Sequence, residues 1–135
     1  MNWQQYFDET HGTGFLATAD GHGRVNIAIY SRPHGRDDGT LVFGMTDRLT
    51  HANLQENPHA TYAFHGKGFQ GVRLYLEKVH EEDCGPLLEQ LRKRADTIVG
   101  PGTGAAVTHL VRFRVTKALA LVGDRPPAAS PPDAA

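Results

Sequence analysis

Apolar and polar residues alternate with a period of two along most of this chain, and helical spacing appears in three places. Trp3, Tyr6 and Phe7, at i, i+3 and i+4, predict a short helix over residues 2–9 that lays an aromatic face on the rest as a lid, outside the core. A strand over 15–19 runs into the turn Asp20-Gly21-His22-Gly23, whose glycines take positive φ at little cost, so a hairpin follows. In its second arm, residues 24–30, Val25, Ile27 and Ile29 are expected to face the core. Asn26, Ala28 and Tyr30 are expected to face a more polar surface.

Further along, Asp38-Gly39 leads into a strand over 40–44, and residues 46–57 read as a helix stopped by Pro58. Strands over 59–64 and 71–79 are joined by the glycine-rich residues 65–68. A helix over 81–97 carries Leu87, Leu88 and Leu91 on one side, residues 100–104 form a loop, and a last strand occupies 109–122. Six strands, one crossing helix and one packing helix predict a mainly β, α+β fold: a closed antiparallel barrel with helices over its openings. Residues 1–123 read as one domain. The Pro- and Ala-rich residues 124–135, without an aromatic, read as a disordered tail.

Charge and cysteine usage narrow the partners. A formal net charge of −1, with acids and bases interspersed, carries no footprint for nucleic acid or an anionic membrane. The lone cysteine, Cys84, excludes an internal disulfide and fits a reducing compartment, and no stretch has the length and apolarity of a leader or membrane span. A cytoplasmic protein is expected.

Chemistry concentrates at one corner, where the strand ending at Gly44 and Met45 meets Thr46, Asp47, Arg48, Leu49 and Thr50. The helix start beyond it offers unpaired amides and a positive dipole end, Arg48 adds a permanent charge, and Thr46 and Thr50 add hydroxyls. Two readings of the corner remain: an ordinary cap by Thr46 or Asp47, or an anion site. Of the eight histidines, His51, His59 and His65 are close in sequence but fall on different elements without a ligand-pair spacing, so no metal site is expected. No serine sits in a nucleophile elbow, Cys84 has no base beside it, and GPGTG at 100–104 lacks the Lys-Ser/Thr of a phosphate loop. No catalytic side chain is identified.

The order FLATADGHGRVNIAIY, DGTLVFGMTDRLTHANLQENPHATYAF, GVRLYLEKV and then an acidic helix resembles the FMN-binding split β-barrels related to pyridoxamine 5'-phosphate oxidase, from Trp3 to Val122. The resemblance implies a six-stranded antiparallel split β-barrel with flanking helices, forming a homodimer with FMN at the subunit interface. It implies that the backbone of Asn26, Ile27, Ala28 and Ile29 lies against the flavin ring. Gly44, Met45, Thr46, Arg48, Leu49 and Thr50 then hold ring and phosphate, and Gln70 and Arg73 reach the cofactor, often across the interface. The family's Arg-Lys or Ser-x-Lys pattern reads Arg48-Leu49-Thr50 here, without the lysine, and a family glycine beyond Arg73 is replaced by Tyr75-Leu76. The implied activity is an oxidoreductase passing electrons or hydride between a nicotinamide or protein donor and a small acceptor. A non-catalytic flavin-binding or sensing module, and a split barrel that uses F420 or haem, are the alternatives. Oxidation of pyridoxamine phosphate itself is disfavoured, because the proline-alanine tail stands where that activity needs a basic and aromatic segment.

Overall fold

A computed structural model describes residues 2–127; of the proline-alanine tail, residues 128–135 lie outside the described residues. The chain runs α1 (Trp3–Glu9), β1 (Thr13–Ala19), β2 (Val25–Tyr30), β3 (His34–Gly35), β4 (Leu41–Met45), α2 (Leu49–Glu56), β5 (His59–His65), β6 (Gly71–Glu82), α3 (Pro86–Ile98), a 3-10 turn (Thr103–Ala106) and β7 (His109–Ala120). One antiparallel sheet holds all seven strands in the order β2-β1-β5-β6-β7-β4-β3. It curls into a half-barrel. Two sequence expectations change here: among the described residues the strands number seven, the extra one being the two-residue β3, and β2 and β3 remain as free edges where closure was expected.

Helix boundaries follow local chemistry. Asn2 caps α1, its Oδ1 accepting from the Gln5 amide at 2.8 Å. The helix predicted over 81–97 begins later, because β6 continues to Glu82 and Pro86 follows Gly85, whose φ of 122° suits glycine alone. α1 is also no lid. Trp3, Tyr6 and Phe7 are buried, and Phe7 meets Phe64 edge to face at 5.2 Å between ring centres, so the helix supplies part of the main core. A second, smaller cluster of Val42, Leu88 and Leu110 fixes α3 against β4 and β7.

The larger correction concerns β2. Ala28 lies beside Leu16, which pairs in turn with the buried Tyr62, and that row faces the core, with Tyr30 packed against it. Val25, Ile27 and Ile29 point the other way and are 83%, 67% and 71% exposed. Alternation separates the two faces of a strand but does not say which one is inward; α2 packs on the inner side of β2, where only small or polar residues fit.

The β1–β2 turn is organised by Asp20. Its Oδ1 accepts from the His22 and Arg24 amides, both at 2.9 Å, and its Oδ2 from Arg24 Nε at 2.7 Å. The backbone bond from Arg24 leads in holding this carboxyl below its ordinary range; slight desolvation opposes it, and the Arg24 side chain and the His22 amide add to the lowering. A depressed folded-state pKa stabilises the turn above the unfolded carboxyl value of about 3.9, and that contribution is lost as pH falls through the folded value. Acid titration followed by amide NMR is expected to show His22 and Arg24 shifting together in the wild type. In Asp20→Asn this concerted step is expected to be absent.

Candidate functional site

Three contacts seat α2 on the β1–β2 hairpin. Buried Asn53 donates to Thr18 Oγ1 at 3.1 Å, Glu56 Oε1 accepts from the Gly21 amide at 3.0 Å, and Leu54 enters the core. Asn57 Oδ1 accepts from the His59 amide at 3.0 Å as the chain leaves the helix for β5. The Asn53-Leu54 and Glu56-Asn57-Pro58 pattern is therefore the clamp that aims the start of α2 along the end of β2.

At that start, Arg48 is the N-cap in extended conformation, with no side-chain hydrogen bond to the first helical amides. Neither Thr46 nor Asp47 caps the helix, so its positive end is open. Arg48 and Leu49 are exposed, whereas Thr50 is buried. Burial raises the Tyr30 phenol, and the Thr50 hydroxyl and the Arg48 charge offset part of that rise. Tyr30 is in turn fixed through its carbonyl, which accepts from the Tyr62 hydroxyl at 3.1 Å. The Asp47 carboxylate turns to His109, whose Nε2 is 2.5 Å away, which directs that negative charge to a different partner.

α2 packs against β2, the edge strand that carries Asn26, Ile27, Ala28 and Ile29, and Arg48, Leu49 and Thr50 form the start of that helix. Gly44 and Met45 are adjacent in sequence but turned elsewhere. Met45 is in the core, and a Cβ on Gly44 would stand 2.8 Å from Val107 Cγ1, so Gly44 marks the close approach of the segment after α3. Thr46 lies in the link between β4 and α2, its carbonyl accepting from the Arg48 amide at 2.9 Å. Gln70 and Arg73 lie apart from the corner within one chain. Gln70 lines a cleft of about 640 Å³ with Tyr6, His11, Lys67 and Val122, among others, and none of Arg48, Leu49 and Thr50 borders it. Arg73 donates from Nε to the Ala120 carbonyl at 2.9 Å and from Nη2 to the Gly123 carbonyl, holding the chain beyond β7.

The outer sheet face joins these distant residues. Ile29, Phe15, Ala63 and Arg73 form one cross-strand row, and Ile27, Ala17, Thr61 and Tyr75 the next. Tyr30 was not singled out by the sequence, although its place at the end of the Asn26, Ala28, Tyr30 face was the available signal. Asp47, His51 and His109 meet as a cluster that spacing alone could not show, because His109 arrives from β7. His59 and His65 stand at the two ends of β5, away from it.

No family model matches the chain, and no curated protein matches it. Solved structures do. An FMN-binding protein from Syntrophomonas wolfei superposes with a TM-score of 0.77 at 22% identity, covering 92% of this chain and 86% of the other. An F420 reductase gives 0.66 at 17%, covering 84% and 94%. A pyridoxamine 5'-phosphate oxidase-like protein from Lactobacillus delbrueckii gives 0.64 at 11%, covering 88% and 92%. At these identities the likeness is one of fold, and it agrees with the split-barrel fold that the sequence suggested. No helix among the described residues is long and apolar enough to cross a membrane.

Proposed function

We propose, from the split-barrel fold shared with these FMN-binding and F420-linked proteins, that this chain is an FMN flavoprotein whose cofactor lies between two copies of the chain. The observation that carries the proposal is the uncapped start of α2, with exposed Arg48 at its N-cap, on a helix that packs against the free-edge strand β2. A phosphate gains from the open helix amides and the guanidinium together. The unpaired backbone of β2 offers N–H and C=O groups of fixed spacing, which suit the hydrogen-bonding edge of a flavin pyrimidine. Thr50 and Tyr30 pack under the corner and hold it in shape. The departure at Leu49 and Thr50 leaves Arg48 as the one cation among the three corner residues, which lowers the expected affinity relative to a site with an added lysine.

The bare stripe of Val25, Ile27 and Ile29 supports the second copy. An exposed apolar edge strand is a pairing hazard unless covered, and this stripe continues across Phe15 and Ala17 to Tyr75. A homodimer closing on that face would bring Gln70 and Arg73 of one copy toward the cofactor held by the other. When bound, FMN supplies reversible electron and hydride transfer; the chain's own residues bind, orient and shield it, and electrons pass from a nicotinamide or protein donor to a small acceptor in the cytoplasm. The likeness to an F420 reductase favours a deazaflavin in the same groove as the second reading.

Arg48→Ala is expected to weaken FMN binding by about 1–3 kcal/mol, roughly 5- to 150-fold, with the fold unchanged, as for loss of a charge-assisted hydrogen bond. Fluorescence titration of FMN, with F420 in a parallel arm, measures it. An unchanged Kd for both cofactors would remove Arg48 from the site.

A further inference from the structure

We infer that Asp47, His51 and His109 form a binding site for a divalent first-row transition metal of the Zn²⁺ class. The three come from separate elements: the turn after β4, the first turn of α2 and the first residue of β7. The β4–β7 register, which pairs Met45 with His109, brings that histidine to the turn. One ligand atom from each residue lies within 4.8 Å of the other two. Two imidazoles with a carboxylate is a donor set that suits zinc, cobalt or nickel more than magnesium or calcium.

The surroundings favour a cation. His51 Nε2 is 2.8 Å from Glu81 Oε2, and the other Glu81 oxygen is held by Gln55 Nε2 at 3.0 Å and Lys78 Nζ at 3.5 Å. Gln55 Nε2 also stands 3.1 Å from His51 Nε2, so that nitrogen faces a donor and a carboxylate at once; in the tautomer that carries its proton on Nε2 toward Glu81, the Nδ1 lone pair faces Asp47 Oδ1 at 3.9 Å, acceptor against acceptor. A metal between them turns that repulsion into two bonds, and Glu81 becomes the outer carboxylate that orients a metal-bound histidine. His109 presents Nε2 to the same Asp47 oxygen, while its buried Nδ1 lies 3.7 Å from Glu81 Oε2, just beyond hydrogen-bond reach. The two rings are stacked at 3.8 Å and nearly parallel, an arrangement unfavourable to two imidazolium charges. Bonds of about 2.0–2.2 Å place ligand atoms a little over 3 Å apart. The Asp47–His109 pair must therefore open slightly, the Asp47–His51 pair must close, and the rings must tilt out of their stack. Asp47 is exposed, so a fourth position faces water.

The test uses the untagged full chain, stripped with chelator and free of added flavin, titrated with Co²⁺ by visible absorption and with Zn²⁺ by calorimetry. One ion per chain is expected, with tetrahedral cobalt bands that Zn²⁺ displaces. His109→Ala and Asp47→Asn are expected to weaken binding by about 100-fold or more, and Glu81→Gln by about 10-fold. His59→Ala and Cys84→Ser are expected to bind like the wild type. His109→Gln, with circular dichroism of each variant, keeps the result readable if the alanine variant unfolds. Absence of stoichiometric binding, equal binding by the folded His109 variants, or loss of binding in Cys84→Ser would overturn the site. Each readout is independent of FMN, so failure here leaves the flavin proposal standing, and the reverse holds.

Discussion

Ile27→Asp is expected to give a chain that folds, sediments as a monomer and retains no flavin. Ile27 is the middle residue of the bare β2 stripe, between Val25 and Ile29, so an acid there costs the isolated subunit little. In a dimer closed on this face the same carboxylate would be desolvated opposite apolar side chains without a partner. Burying an unpaired charge in an interface costs several kcal/mol, so dimer affinity is expected to fall at least about 100-fold. Cofactor retention should fall with it, because in the proposed dimer the other copy completes the groove. Sedimentation velocity and the visible spectrum of the purified variant check both effects. A yellow, dimeric Ile27→Asp protein would show that β2 is not the interface.

Phe7→Ala carries the largest expected cost to the fold itself. The side chain is fully buried and meets Trp3, Tyr6, Tyr62 and Phe64 with ring centres 5.2–6.2 Å apart. Truncation removes the transfer energy of the ring and leaves a cavity that a sheet on one side and a short helix on the other can only partly fill. A loss of about 3–5 kcal/mol in unfolding free energy is expected by chemical denaturation. A loss below about 1 kcal/mol would mean that α1 lies over the core as a cover and contributes little to it. That was the sequence expectation, and the burial of all three aromatics argues against it.

The elements were legible in the sequence where local rules act alone. Gly-containing turns, Pro58 and the alternation of β5 and β6 located the strands and the stop of α2 closely, because each depends on neighbours in sequence. What could not be read depends on contacts distant along the chain. The inward face of β2 is set by α2 packing on it, and the burial of Tyr6 and Phe7 by Phe64 and Tyr62, more than fifty residues away. The polar corner from Thr46 to Thr50 was visible as a residue pattern, but its open helix start was not, since Thr46 and Asp47 are both good capping residues. The pairing of Met45 with His109, which assembles the histidine–aspartate cluster, leaves no trace in local spacing.

The most direct test of a flavin held between two copies is sedimentation velocity of the wild-type chain with FMN, recorded in the flavin visible band and in the protein band together. The flavin signal is expected to move with a dimer at one FMN per chain. A monomer boundary, or flavin left behind as the protein sediments, would contradict it.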